Sequence, residues 1–164
     1  MRRADARITA ALRESSPDLL GYLQRRAGRD DAPDLLGETM VVAWRRVGDL
    51  PVDPESARMW LFGIARTVLF NHGRGERRRW ALADRLRQES RNDLVASPAD
   101  DGSEVRDAIA RLDADLAELV RLVHWERMTL VQAAELVGIP ASTARTRYSR
   151  AKEELRTVLG VRTV

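Results

Sequence analysis

The sequence predicts an all-α protein: two small helical domains joined by a flexible linker, the C-terminal one carrying a helix-turn-helix. Three observations predict it. Every periodic apolar pattern in the 164 residues repeats at helical spacing, and no β-branched run alternates as a strand would. The stretch Ser90–Ser103, SRNDLVASPADDGS, has few apolar residues and contains Ser-Pro and Asp-Gly, the composition of a link between domains. Thr129–Ala151, TLVQAAELVGIPASTARTRYSRA, reads as two short helices around one tight turn. The domains are therefore expected at 1–80 and 104–164, with 81–103 between them.

The elements follow in order. A first helix is expected over about Asp5–Glu14, ended by Ser15-Ser16-Pro17, and a second over about Pro17–Ala27, with Leu19, Leu20 and Leu23 inward and Gly28 as its stop. A third starts near Pro33, where Asp34 and Glu38 favour the positive end of the helix dipole, and runs to about Val47. Its expected core stripe is Leu36, Met40, Ala43 and Val47. Gly48–Pro54 is a loop with two prolines, and a long fourth helix follows at about Glu55–Trp80, burying Leu61, Ile64, Ala65 and Val68. Beyond the linker, four patterns lie near Glu104–Leu112, Ala114–Trp125, Thr129–Val137 and Pro140–Val158. Within the third of these, Leu130, Ala133, Ala134 and Val137 form one stripe, Gly138 supplies the left-handed residue of the turn, and Pro140 opens the last helix.

Composition narrows the function classes. The net charge is only +3 and the isoelectric point is near 10.1, because the bases are arginines except for Lys152. Arginine keeps its charge at any pH and binds phosphate bidentately, which suits a nucleic-acid partner. Without cysteine there is no disulfide framework and no thiolate metal site, and His72 and His124 have no second ligand at metal spacing. No apolar run approaches the roughly 20 residues of a bilayer span, and the N-terminus MRRADAR lacks an apolar signal core. A cytoplasmic protein is expected. Nothing pairs a nucleophile with a base or forms a phosphate-binding glycine loop, so the chain is read as no enzyme and as needing no cofactor.

Three surfaces stand out. On the last helix Ala144, Tyr148, Ala151 and Leu155 line the buried side. At about 100° per residue, Ser142, Thr146 and Ser149 lie opposite, flanked by Thr143, Arg145, Arg147 and Arg150. Short hydroxyls able to reach base edges, with guanidiniums beside them to grip phosphates or read guanine, suit a helix in a major groove; a helical hairpin with a solvated basic face gives the same pattern. The third helix carries Asp34, Glu38, Val41, Val42 and Arg45 away from its expected core, an apolar and acidic mixture. Either a protein partner or a neighbouring helix of the same domain accounts for its valines. The fourth helix interleaves Met59, Trp60, Phe62 and Phe70 with Arg66, Thr67, Arg74 and Arg77. Stacking rings among phosphate-binding cations fit single-stranded DNA, whereas burial of Trp60 and Phe62 in the core is the structural alternative.

These residues resemble a family. Asp31–Arg45, DAPDLLGETMVVAWR, resembles the DAEDLVQETFxRAWR run of extracytoplasmic-function (ECF) sigma factors of the sigma-70 superfamily. Trp60–Arg66, WLFGIAR, is similar to their WLxxIARN run, and Leu136–Ala151 to their LGxSxGTVKSRxxRA run. The resemblance implies a bacterial RNA polymerase sigma factor whose first domain is region 2 and whose second is region 4. It implies core-polymerase contacts at Asp34, Leu35, Glu38, Thr39 and Val42, docking on the clamp helices of the β′ subunit, with the β flap as a further contact. It implies −10 element contacts at Trp60, Arg66, Thr67, Asn71 and Arg74, with Arg77 added from the arginine surface of the same helix. The loop Gly48–Glu55 corresponds to one that captures a flipped base, and the −35 element would be read by Ser142, Thr143, Arg145, Thr146, Arg147 and Arg150. An anti-sigma factor is a further implied partner. The chain departs from the pattern at Gly37, Val42, Thr67 and Ser142, where glutamine, arginine, asparagine and glycine are usual. Ala133 and Ala144 are smaller than the usual branched residues, which implies a looser second domain. A stand-alone helix-turn-helix regulator, or a sigma-like adaptor that binds polymerase without opening DNA, are the competing functions.

Overall fold

The computed structural model describes residues 2–86 and 103–160, and these are all-helical, with no strand among them. They divide into two compact units, Met1–Asn92 and Asp93–Val164. Unit 1 contains α1 (Arg2–Ala27), α2 (Ala32–Arg45), a 3-10 turn at Val47–Asp49 and α3 (Pro54–Leu86). Unit 2 contains α4 (Ser103–Ala110), α5 (Ala114–His124), α6 (Leu130–Val137) and α7 (Ala141–Leu159).

The first two expected helices are one. Pro17 lies inside α1, although an interior proline removes a backbone bond and costs about 3 kcal/mol. The apolar spacing explains why the helix survives. Ile8, Leu12, Leu19, Tyr22 and Leu23 are all buried on one stripe that runs straight through the proline. At about 1.5–3 kcal/mol for each large side chain, their burial outweighs the defect. Ser16 also donates its hydroxyl to the Leu12 carbonyl just before it.

The phase of α2 also differs from the expected one. Its buried residues are Ala32, Leu35, Thr39 and Ala43; of the expected stripe Ala43 is among them, whereas Leu36, Met40 and Val47 are half-buried. Thr39 is fully buried, and its hydroxyl donates to the Leu35 carbonyl at 2.8 Å. A satisfied hydroxyl of this kind is a tolerable core group. The polar letter disguised a core position.

In α3, Leu61, Ile64, Ala65 and Val68 are buried as expected. Phe62 is buried too, edge-on to Tyr22 of α1 at 5.4 Å, so of the two aromatics in question this one belongs to the core. The helix continues past Trp80 to Leu86, where the linker was expected to have begun. Ala81–Leu86 contains neither Gly nor Pro to stop it. Ser90–Gly102 of the expected linker lies outside the described residues.

Unit 2 packs Ile109, Leu112, Leu116, Ala117, Val120 and Ala151 into one cluster, with Trp125, Tyr148 and Leu155 against it. Thr129 and Gln132 close a capping box on α6: the Gln132 amide donates to the Thr129 hydroxyl at 3.1 Å, and the Thr129 amide to the Gln132 side chain at 2.9 Å. Gly138 takes the left-handed conformation at φ 77°, and the chain turns into α7 with Pro140 just ahead of its first residue. Ala133, Ala134 and Ala144 are fully or nearly fully buried where α6 meets α7.

Candidate nucleic-acid and polymerase interfaces

The first surface lies on α2. Its exposed face carries Asp34, Glu38, Val41, Trp44 and Arg45. Leu35 and Thr39 of the expected contact set point into the core instead, so they shape this face without presenting side chains on it. Val42 is half-buried at its edge. Trp44, outside the expected contact set, is 46% exposed on the same face. A half-exposed tryptophan beside Val41 and two carboxylates is an unusual solvent face and a natural protein-docking anchor. Its place in the quoted AWR run was the available signal.

The second surface lies on α3. At about 100° per residue, Trp60, Thr67, Asn71 and Arg74 form one stripe, and Arg66, Phe70 and Arg77 the next. The first stripe faces α2 across a groove of about 380 Å³ lined by Glu38, Val42, Arg46, Trp60, Thr67 and Asn71 among others. The Arg46 guanidinium lies 5.8 Å from the centre of the Trp60 ring and is held by Asp49 at 3.1 Å. Arg66 lies over Phe70 at 4.6 Å, with Phe70 half-exposed. Rings with cations on them, an amide and a hydroxyl therefore occupy one continuous surface. Thr67 donates to the Gly63 carbonyl at 3.0 Å, and Arg77 to the Gly73 carbonyl at 3.3 Å.

The loop between α2 and α3 is fixed from both ends. Arg7 of α1 donates to the carbonyls of Leu50 and Pro51 at 3.2 and 2.8 Å. A cavity of about 370 Å³ opens there, with Arg7, Glu14, Asp18, Glu55 and Arg58 on its wall. Asp53 caps α3, accepting from the Ser56 amide at 2.8 Å and its hydroxyl at 2.9 Å. The amide bond, and then the hydroxyl bond, hold the Asp53 carboxyl below its ordinary value of 3.8. A carboxyl depressed on folding stabilises above its unfolded value and loses that contribution as pH falls through the folded one. Asp53→Ala is therefore expected to melt at a lower temperature than wild type at pH 7, with the gap closing as the pH drops below 3.8. Thermal melts between pH 3 and 7 check this; a gap independent of pH contradicts it.

The third surface is the outer face of α7. Ser142, Arg145, Thr146, Ser149 and Arg150 are exposed, and Thr143 and Arg147 are half-buried at its side. Thr146 donates to the Ser142 carbonyl at 3.2 Å, leaving its oxygen available to accept. His124 meets the Tyr148 hydroxyl at 2.8 Å, and His72 pairs with Asp31 at 3.3 Å. No cluster of metal-ligating side chains occurs among the described residues. No described helix is long and apolar enough to cross a membrane.

Fold and surface chemistry together define a class: a helical protein with a helix-turn-helix in one unit and a ring-and-arginine helix in the other. Comparison with known proteins narrows it. Residues 12–79 match sigma-70 region 2, and residues 103–155 match sigma-70 region 4. The probable RNA polymerase sigma-C factor of Mycobacterium bovis is 30% identical over 152 residues, covering 90% of this chain and 80% of that protein. The ECF RNA polymerase sigma-E factor of Haemophilus influenzae is 29% identical over 147 residues, covering 81% and 77%. Among solved structures, the sigma factor RpoE of Bartonella quintana, in complex with the anti-sigma factor NepR, matches with a TM-score of 0.69 at 23% identity, covering 99% of this chain and all of that one. CnrH, in complex with the cytosolic domain of CnrY, matches with a TM-score of 0.53 at 22% identity, covering 96% and 86%. At such identity these two speak for the fold. The chain belongs to the ECF sigma factors of the sigma-70 family.

Proposed function

We propose that this chain binds core RNA polymerase, directs it to promoters by reading −35 and −10 elements, and helps to separate the DNA strands there. The observation that carries the reading is the pairing of α2 with α3. It sets an acidic and apolar face, Asp34, Glu38, Val41 and Trp44, beside a groove walled by Trp60, Arg46, Thr67 and Asn71. The first face suits the clamp helices of the polymerase β′ subunit: the carboxylates meet basic side chains while Val41 and Trp44 bury against apolar ones. The second suits the −10 strand, with bases stacking on Trp60 and Phe70 and phosphates on Arg66, Arg74 and Arg77. The loop cavity beside Leu50–Pro54 accepts a flipped base by hydrogen bonding, since its wall offers both carboxylates and guanidiniums. Unit 2 reads the −35 element with Ser142, Thr143, Arg145, Thr146, Arg147 and Arg150 of α7, and the β flap is its polymerase contact.

The chemistry of transcription belongs to the polymerase; this chain supplies address and strand separation. Joining two weak DNA readers in one chain raises the effective concentration of the second once the first is bound. An anti-sigma factor covering α2 or α3 is the natural regulator, and the RpoE structure of the same fold was solved with one. Gel filtration with core polymerase tests the assignment. Wild type is expected to co-elute with core at micromolar concentration, and Glu38→Lys to weaken association about tenfold or more, because it sets like charges together. Failure of the wild type to associate overturns the proposal.

A further inference from the structure

The arginines of α7 are not equivalent. Arg147 pairs with Asp115 at 3.5 Å, and Arg150 with Asp113 at 3.5 Å and with Glu154 at 2.8 Å. Arg156 pairs with Glu153 at 3.5 Å. Arg145 is exposed and has no ion-pair partner among the described residues. The carboxylates facing Arg147 and Arg150 from outside their own helix thus both come from the start of α5. Asp113 immediately precedes that helix and Asp115 sits in its first turn, where the helix dipole favours negative charge whether or not an arginine is near. The charge of both acids is therefore favoured by α5 whether or not α7 is near. Their side chains are 73% and 74% exposed, so the pairs are solvent-screened and open to exchange.

We infer that Asp113 and Asp115 are internal counter-anions of the recognition helix, which hold down its sequence-independent affinity for DNA. This rests on the reading of α7 as the DNA helix. A phosphate that takes Arg147 or Arg150 must first displace a carboxylate, and the freed carboxylate then faces a polyanion. Arg145, with no such competitor, is at liberty to reach a base edge. The two acids thereby cut the phosphate grip that any sequence offers, while leaving the base-reading side chains untouched.

The test uses the full chain and a random-sequence duplex of about 20 base pairs, followed by fluorescence anisotropy from low to moderate salt. Asp113→Asn with Asp115→Asn keeps side-chain size while removing both α5 counter-anions, so that Arg147 loses its pair and Arg150 retains Glu154. Asp107→Asn with Glu135→Gln removes the same two charges from exposed positions of the same unit that pair with no arginine of α7. The first double variant is expected to bind about 3- to 10-fold tighter than wild type, with a salt slope steeper by about 1, as release of Arg147 to a phosphate requires while Arg150 keeps its pair with Glu154. The second is expected to change affinity by less than about twofold, with the slope unaltered. Equal gains in both variants mean bulk charge alone and overturn the inference, as does no gain in the first. Absence of duplex binding by all three chains overturns the DNA reading of α7 and this inference with it. Circular dichroism melts confirm that both variants fold.

Discussion

Trp60→Ala is expected to leave core binding intact and to reduce promoter opening by about 1–3 kcal/mol, or roughly 5- to 150-fold. The indole is half-buried in the groove between α2 and α3, with the Arg46 guanidinium 5.8 Å from its ring centre. That arrangement leaves ring surface for a base while the cation meets the adjoining phosphate. Arg46 also meets Asp49 at 3.1 Å, an exposed pair that leaves the guanidinium free to exchange onto a phosphate. Of the exposed α2 residues that would meet polymerase, Asp34, Val41 and Trp44 lie outside this groove and Glu38 is on its rim, so the two activities separate on most of that face. Permanganate reactivity of unpaired thymines near the start site reads opening, and gel filtration with core reads association. Normal opening by the variant would remove α3 from strand separation.

Phe62→Ala acts on folding instead, with an expected loss of about 3–5 kcal/mol, the usual range for a large aromatic deleted from a core. Phe62 is completely buried, meets Tyr22 edge-on at 5.4 Å and lies beneath the Arg58 guanidinium at 4.9 Å. Arg58 in turn reaches Asp18 of α1 at 3.6 Å, so the ring sits at the seam where α1 and α3 meet. A domain of ordinary stability has only about 5–15 kcal/mol in hand, and unit 1 would lose a large part of it. Urea denaturation followed by tryptophan fluorescence measures the change in a Trp125→Phe background, which removes the tryptophan packed in unit 2 and leaves Trp44 and Trp60 to report on unit 1. A loss below about 1 kcal/mol would contradict the burial of this ring.

Particular residues show how far the sequence could be read. The helix-turn-helix was legible because its signals are local: alanines at helical spacing, Gly138 where only a left-handed residue fits, Pro140 before the next helix. The buried side of α3 was legible for the same reason, through Leu61, Ile64, Ala65 and Val68. Pro17 misled because a local breaking signal lost to burial on both sides of it, and that burial exists only after α2 and α3 pack on α1. Thr39 misled because a hydroxyl that bonds its own helix looks polar in a sequence and behaves as core in the fold. The expected contact set was taken from the family resemblance by position, so it includes Leu35 and Thr39, which the fold buries. The exposed polar residues of α3 and α7 were visible one by one in the helical spacing. Their assembly was not: the groove between Glu38 and Trp60, and the carboxylates beside Arg147 and Arg150, arise from helices brought together by tertiary packing.

Run-off transcription with purified components tests the central claim most directly. Core polymerase alone and core plus this chain would each be given genomic DNA, with transcript 5′ ends mapped. The account requires a small set of starts that appears only with the chain, shares two spaced elements upstream, and weakens at least about fivefold in the Trp60→Ala variant. Identical transcripts with and without the chain, although it is bound to core, would show an adaptor of the polymerase and not a guide to promoters.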